Sequence, residues 1–203
     1  MISCRKLSIS YGARKVVNDF SATFAAGTVT AILGVNGSGK STLLAALAGD
    51  LAPSAGEIIL NERALSSYNS VELSRMRAMA VQSHHYWMAY KSIEILRLGN
   101  EEVCQERFDY LIEKLKIGAY LQEPVTTLSG GQLQRIEIAR ALLRELPLLM
   151  LDEPFASQDL ASIEAIKGLL TEERAAGRTV ILVAHMRRED LSWCDQIIEL
   201  NAR

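Results

Sequence analysis

Cysteine is scarce in this chain. The 203 residues contain three, Cys4, Cys104 and Cys194, an odd number spread far apart. That spacing excludes a metal knuckle and a disulfide framework, and buried or incidental thiols in a reducing compartment are expected. An excess of either charge is also missing: 22 Lys and Arg stand against 24 Asp and Glu, for a formal net charge of −2. A protein that lives on phosphate backbones carries a clear positive excess, so no nucleic acid is expected among the partners. No apolar run has the length needed to cross a bilayer. The opening segment MISCRKLSIS lacks the apolar core of a secretion signal, so a cytosolic chain without a targeting segment is expected. Internal repeats and low-complexity tracts are absent as well.

What is present is ample core material. Hydrophobic residues make up 49% of the chain, and the mean hydropathy of +0.10 is slightly positive. A chain of this length can bury a substantial core in one domain, here 1–203. Positive hydropathy without a spanning helix fits a well-filled core, or an apolar surface covered by a partner.

The order of elements reads as alternating strands and helices. Residues 2–9 and 16–24 alternate loosely about a turn at Tyr11-Gly12, and 28–33 is a short apolar run. From Lys40 the pattern becomes helical as far as Gly49. Strand follows at 57–60, helices at 70–77 and 103–116, and a less certain stretch lies between them. Then come a helix at 133–146, strands at 148–151 and 179–183 flanking a helix at 160–176, a short helix, and a last strand at 196–200. This alternation predicts an α/β fold with a mainly parallel core sheet. Residues 68–146, helix-rich and strand-poor, read as a helical subdomain inserted in that core.

The run Gly34-Val35-Asn36-Gly37-Ser38-Gly39-Lys40-Ser41 satisfies G-x-x-x-x-G-K-[ST], with Thr42 following, and it sits between a strand and a helix as that motif requires. Glycines allow the backbone to wrap around a phosphate with its N–H groups inward, and the helix dipole adds positive potential there. Lys40 is placed to reach the β- and γ-phosphates and the Ser41 hydroxyl to ligate Mg²⁺. A P-loop NTPase binding a nucleoside triphosphate is the expectation. Asp152-Glu153 then closes the apolar strand Leu148-Leu149-Met150-Leu151, delivering two carboxylates to the sheet's carboxyl edge. Asp152 suits Mg²⁺ held through water, and Glu153 suits polarisation of an attacking water.

Leu128-Ser129-Gly130-Gly131-Gln132 immediately precedes a helix and forms a second anion cradle by the same logic. With it, the chain resembles the nucleotide-binding domain of ABC transporters, whose hallmark is LSGGQ. The resemblance runs from about residue 7 to residue 200. It implies an ABC-type ATPase with an N-terminal antiparallel β subdomain and an inserted helical subdomain, using ATP and Mg²⁺. It also implies two head-to-tail copies, or one copy with a homologous subunit, sandwiching two ATP molecules, with Ser129, Gly130, Gly131 and Gln132 facing the nucleotide bound by the other.

By that resemblance Tyr11 stands where an aromatic stacks on adenine; read without it, Tyr11 is a core or turn tyrosine. Gln82 matches the glutamine that contacts Mg²⁺ and senses the membrane partner. Asp159, in Ala156-Ser157-Gln158-Asp159, matches the D-loop aspartate, and His185 matches the switch histidine near the γ-phosphate. Two departures stand out: Val35 replaces the usual proline, and Ala-Ser-Gln-Asp replaces the common Ser-Ala-Leu-Asp, which bears on coupling between subunits.

Transmembrane permease subunits on other chains are the implied partners, holding this chain on the cytoplasmic face of the membrane. Their docking surface is expected in the helical insertion, around residues 83–100, with surplus apolar surface near 86–90. Adjacent His84 and His85 rarely aim at one ion without further ligands, so partner packing is the expected use of that stretch. The run 49–57 together with Ser83-His84-His85 is similar to ATPases of iron-siderophore, haem and cobalamin importers, with compact haem exporters as the alternative. Soluble ABC ATPases of DNA repair, chromosome maintenance or translation carry coiled-coil insertions or two fused cassettes, which this sequence lacks. A non-catalytic regulatory role does not fit intact Lys40, Asp152, Glu153 and His185. No appended regulatory domain is expected beyond the last strand.

Overall fold

The computed structural model describes residues 1–82, 86–100 and 102–200. The sequence builds two sheets. The first is antiparallel: β1 (Ile2–Tyr11) lies between β2 (Arg14–Phe24) and β4 (Ala55–Leu60), with the short β5 (Arg63–Ala64) beyond, in the order β2-β1-β4-β5. The second is parallel, in the order β6 (Arg77–Ala80), β7 (Leu148–Asp152), β8 (Thr179–Val183), β3 (Val29–Leu33), β9 (Gln196–Glu199). Every residue of β3, β7 and β8 is buried. Such uninterrupted apolar runs are the pattern of central parallel strands covered on both faces.

Two apolar cores fill the two faces of the parallel sheet. One takes Ile32, Met150, Ile181 and Val183 against α1 (Lys40–Ala48) and the antiparallel sheet, through Leu7, Ile9, Phe24, Leu43 and Leu47. The other takes Val29, Leu149, Leu151, Val180 and Leu182 against α5 (Gly130–Leu143) and α6 (Leu160–Ala175). The same core extends to α3 (Ser92–Arg97) and α4 (Gln105–Lys114) through Ile95, Leu96, Phe108 and Leu111. α5 is therefore buried on most of its circumference, Glu137 included.

Several element boundaries differ from the sequence reading by a few residues, and two of the differences bear on the site. Residues 70–77 divide into a five-residue helix, α2 (Ser70–Ser74), and the start of β6, which pairs in parallel with β7 from Arg77↔Leu148 to Ala80↔Leu151. The helix expected from residue 133 begins at Gly130, because Ser129 and Gln132 form a reciprocal capping box ahead of it.

The register of the parallel sheet fixes the functional edge. Ile32 and Asp152 both pair with Val183, on opposite sides of β8, and Ala80 pairs with Leu151. The carboxyl ends of β6, β7, β8 and β3 therefore finish nearly level, where ligands of open parallel sheets gather. Among the described residues no helix is long and apolar enough to cross a membrane. The three cysteines are free thiols, with Cys4 buried and Cys104 exposed. The surplus apolar surface foreseen near 86–90 is present: Trp87 is 96% exposed, and Met88 and Tyr90 are exposed beside it. Ser83, His84 and His85 lie outside the described residues.

Candidate active site

Each of the four level strands delivers one part of the site. β3 runs into the glycine-rich loop, and α1 begins at Lys40 behind Gly39, whose φ of +94° is a left-handed conformation. A side chain at 39 is excluded twice over, because its Cβ would stand 2.7 Å from the Val16 side chain. Lys40, only 5% exposed, turns back into the loop. Its ammonium donates to the carbonyls of Gly34 (2.8 Å) and Val35 (3.1 Å) and to His185 Nε2 (3.0 Å). Burial lowers the Lys40 pKa, opposed by the nearby negative charges of Glu153 and Asp152.

β7 delivers the carboxylates. Asp152 is 6% exposed. Burial pushes its carboxyl above the ordinary range, against the Ser41 hydroxyl, which bonds it and lowers it, and Glu153, which raises it again. The Oδ1 atom of Asp152 is buried without a hydrogen-bond partner, as is the Ser38 hydroxyl in the loop. Glu153 follows at φ +50°, a conformation uncommon for a residue with a side chain. That turn aims its carboxylate back along the sheet edge, where Gln82 Nε2, two residues beyond β6, donates to Oε2 at 2.6 Å. His185, two residues beyond β8, brings Nε2 to 3.4 Å from Glu153 Oε1. Since Lys40 is a donor only, the shorter Lys40 contact makes Nε2 an acceptor. The approach to Glu153 is thus a close contact, not a second hydrogen bond.

Lys40, Ser41, Gln82, Asp152, Glu153 and His185 are brought into one cluster. Among the described residues, no hydrogen bond joins it to Tyr11, Ser129, Gly130, Gly131, Gln132 or Asp159. Tyr11 is exposed at the hairpin, where it pairs with Arg14. Ser129 and Gln132 bond each other: the Ser129 N–H donates to Gln132 Oε1 at 2.8 Å, and the Gln132 N–H to Ser129 Oγ at 3.3 Å. Asp159 caps α6, accepting from the Ser162 N–H at 2.7 Å; that bond holds its carboxyl below the ordinary range. Asn36, Gly37 and Ser41 are exposed along the loop, and Thr42 is half-buried.

The family model for ABC transporters matches residues 17–156. The chain belongs to the ABC transporter family. The cassette is 34% identical over 199 residues to a hemin import ATP-binding protein, HmuV, of Nocardia farcinica, covering 94% of this chain and 69% of that one. It is 37% identical over 190 residues to a vitamin B12 import ATP-binding protein, BtuD, of Yersinia enterocolitica, covering 88% and 75%. Among solved structures, an ATP binding subunit of an ABC transporter superposes with a TM-score of 0.86 at 26% identity, covering 98% of this chain and 85% of that one. A dimeric bacterial ABC transporter cassette superposes with a TM-score of 0.87 at 25% identity, covering 100% and 95%.

Two glutamines of this ABC cassette touch the site's framework: Gln134, unassigned from sequence, and Gln158, known from sequence only as a departure within the D-loop. Gln134, buried on α5, donates to the Asp152 carbonyl at 3.4 Å. Gln158 donates to the Gly131 carbonyl at 2.9 Å. The first carried a usable signal, a polar residue two places beyond Gln132 on a helix otherwise rich in Ile, Leu and Ala. The second joins the Glu153 loop to the first turn of α5, 27 residues away in sequence, which no local pattern announces.

Proposed function

We propose that this ABC cassette is the ATP-binding, ATP-hydrolysing subunit of an importer whose membrane passage is formed by separate permease subunits. The observation that carries the reading is the Glu153 carboxylate, steered by Gln82 beside a lysine buried in a phosphate loop. The loop N–H groups and Lys40 bind the triphosphate. Gln82 holds the Glu153 carboxylate in the orientation from which it takes a proton from the attacking water, and His185 lies close enough to both Lys40 and Glu153 to respond to the transferred group.

Mg²⁺ fits the residues present. The unpartnered Asp152 Oδ1, the Ser41 hydroxyl and the Gln82 carboxamide are oxygen donors of the kind this hard cation takes. When bound it supplies positive charge to the phosphate oxygens, with Ser41, Gln82 and Asp152 holding it.

Tyr11 and Asp159 complete the proposed nucleotide site, Tyr11 by stacking on the base, and Ser129 to Gln132 serve the nucleotide of a second copy or a homologous subunit. Ser129 and Gly130 are exposed, open to a nucleotide carried by another chain, which supports the two-copy arrangement. Residues 68–146 are read as the helical insertion within one domain, and the exposed Trp87-Met88 surface as the ground on which the permease docks at the cytoplasmic face. An iron chelate, haem or cobalamin is the proposed cargo, supported by relatives named for hemin and vitamin B12 import. Those relatives favour import over the export alternative. Phosphate release by the purified chain, alone and with co-purified membrane subunits, tests the reading. Turnover is expected in at least the complex, and ATP binding with no turnover in either overturns it.

A further inference from the structure

The loop after Glu153 is unusually constrained. It leaves β7 through the left-handed Glu153 and turns again through Ser157, at φ +57°. The Ala156 N–H bonds the Glu153 carbonyl at 3.1 Å, and Asp159 anchors the far end by capping α6. The second turn aims the Ser157 carbonyl at the first turn of α5. There a Cβ on Gly131 would stand 2.4 Å from that oxygen, so only glycine allows the approach. At the same place the Gln158 carboxamide donates to the Gly131 carbonyl at 2.9 Å and reaches the Ala156 carbonyl at 3.4 Å. Gln158 stands where this family's common D-loop motif has leucine, a side chain with no donor.

We propose that Gln158 is a positioning residue that clamps the capped first turn of α5, Ser129 to Gln132, to the Glu153 loop of the same chain. The carboxamide ties a surface offered to the neighbouring copy's nucleotide to the loop that carries this chain's own hydrolytic carboxylate. Closure around one nucleotide is thereby transmitted to the geometry of the other. Removing the donor leaves Lys40 and the phosphate loop unchanged, since no bond of the clamp reaches them. It frees the first turn of α5 to shift relative to Glu153. The inference rests on the two-copy ATPase reading above.

The test compares wild type with Q158M, which keeps length and volume without a donor, and Q158E, which keeps the shape but turns a carboxylate toward the Gly131 carbonyl. ATP binding is measured on the isolated chain, and kcat, KM and the Hill coefficient on the complex with its membrane subunits. The proposal expects ATP affinity of the isolated chain within twofold of wild type in both variants. It expects kcat lower by about fivefold in Q158M, the scale of one net hydrogen bond, and lower still in Q158E. The Hill coefficient should fall toward one in both. Wild-type kcat and Hill coefficient in both variants overturn the clamp. Loss of ATP binding by the isolated chain also overturns it, because Gln158 would then be supporting the whole fold. An inactive wild-type complex instead removes the ATPase reading on which the clamp depends, so the two failures are distinguishable.

Discussion

The Gln82 carboxamide donates to Glu153 Oε2 at 2.6 Å across the edge of the parallel sheet, joining a residue two places beyond β6 to the residue that follows β7. Neither side chain is held by its own strand alone. Glu153 sits in a left-handed turn that costs on the order of 1–3 kcal/mol for a residue with a side chain, and the strained turn aims the carboxylate toward Gln82.

Replacing that carboxylate separates binding from chemistry. E153Q keeps the shape of the side chain and removes the proton acceptor, so hydrolysis should fall by about 10²–10⁴-fold, the usual contribution of a general base. ATP affinity should be retained, and two copies should stay closed around the unhydrolysed nucleotide. Size-exclusion chromatography with ATP at micromolar protein should show a dimer; a persistent monomer counts against the arrangement.

Lys40 acts earlier. Its ammonium is already inside the phosphate cradle, on the Gly34 and Val35 carbonyls. K40A should weaken ATP binding by about 10–100-fold, the value of a charge-assisted hydrogen bond. Calorimetric titration with ATP reads this directly, and unchanged affinity would remove the assigned role.

Asp152 should trade stability for function. Burial raises its carboxyl pKa in the folded chain. A group raised on folding contributes stability below its unfolded pKa and loses that contribution as pH rises through the folded value. At pH 7 the charged, half-satisfied carboxylate is therefore a cost. D152N should raise Tm at pH 7 by about 2–4 °C, corresponding to roughly 1 kcal/mol in a chain of this size, while abolishing hydrolysis. The gain should shrink as pH falls through the raised folded value and vanish below the ordinary carboxylate range, where the wild-type carboxyl is protonated in both states. Melting curves at pH 7 and below that range check the sign, and a lower Tm for D152N at pH 7 contradicts it.

Away from the site, Glu173 on α6 is 3% exposed and lies between two arginines. It accepts from Arg107 of α4 at 2.5 Å and from Arg178, which also pairs with Glu145 at 2.8 Å. Removing one member of a buried ion cluster strands the others, at a cost of about 3–5 kcal/mol. E173Q should lower the urea midpoint accordingly with little change in slope, and ATP affinity should be unaffected.

The chemistry of the cluster was legible because it is carried by local runs. A glycine-rich loop between strand and helix, or carboxylates ending an apolar strand, announce themselves within ten residues. β6 was less legible: Arg77, Ala78, Met79 and Ala80 include good helix formers, and pairing with β7 makes them a strand. Gly130 and Gly131 look like loop, and the cap between Ser129 and Gln132 makes them helix. Gln158 was legible as a departure from the common D-loop pattern, but its partner Gly131 was not, because the tertiary fold supplies it.

The level ending of β6, β7, β8 and β3 divides the chain into places that tolerate a change of length and places that do not. Side chains alternate between faces along a strand, so one residue deleted from β7 would turn Asp152 to the opposite side of the sheet and draw Glu153 away from Gln82. The stretch between Gln82 and Leu128, outside the loops that face nucleotide, carries no such register constraint. Insertions and deletions between Gln82 and Leu128 can thus reshape the surface around Trp87 while the phosphate chemistry keeps its geometry. New attachments can arise there without disturbing the reaction.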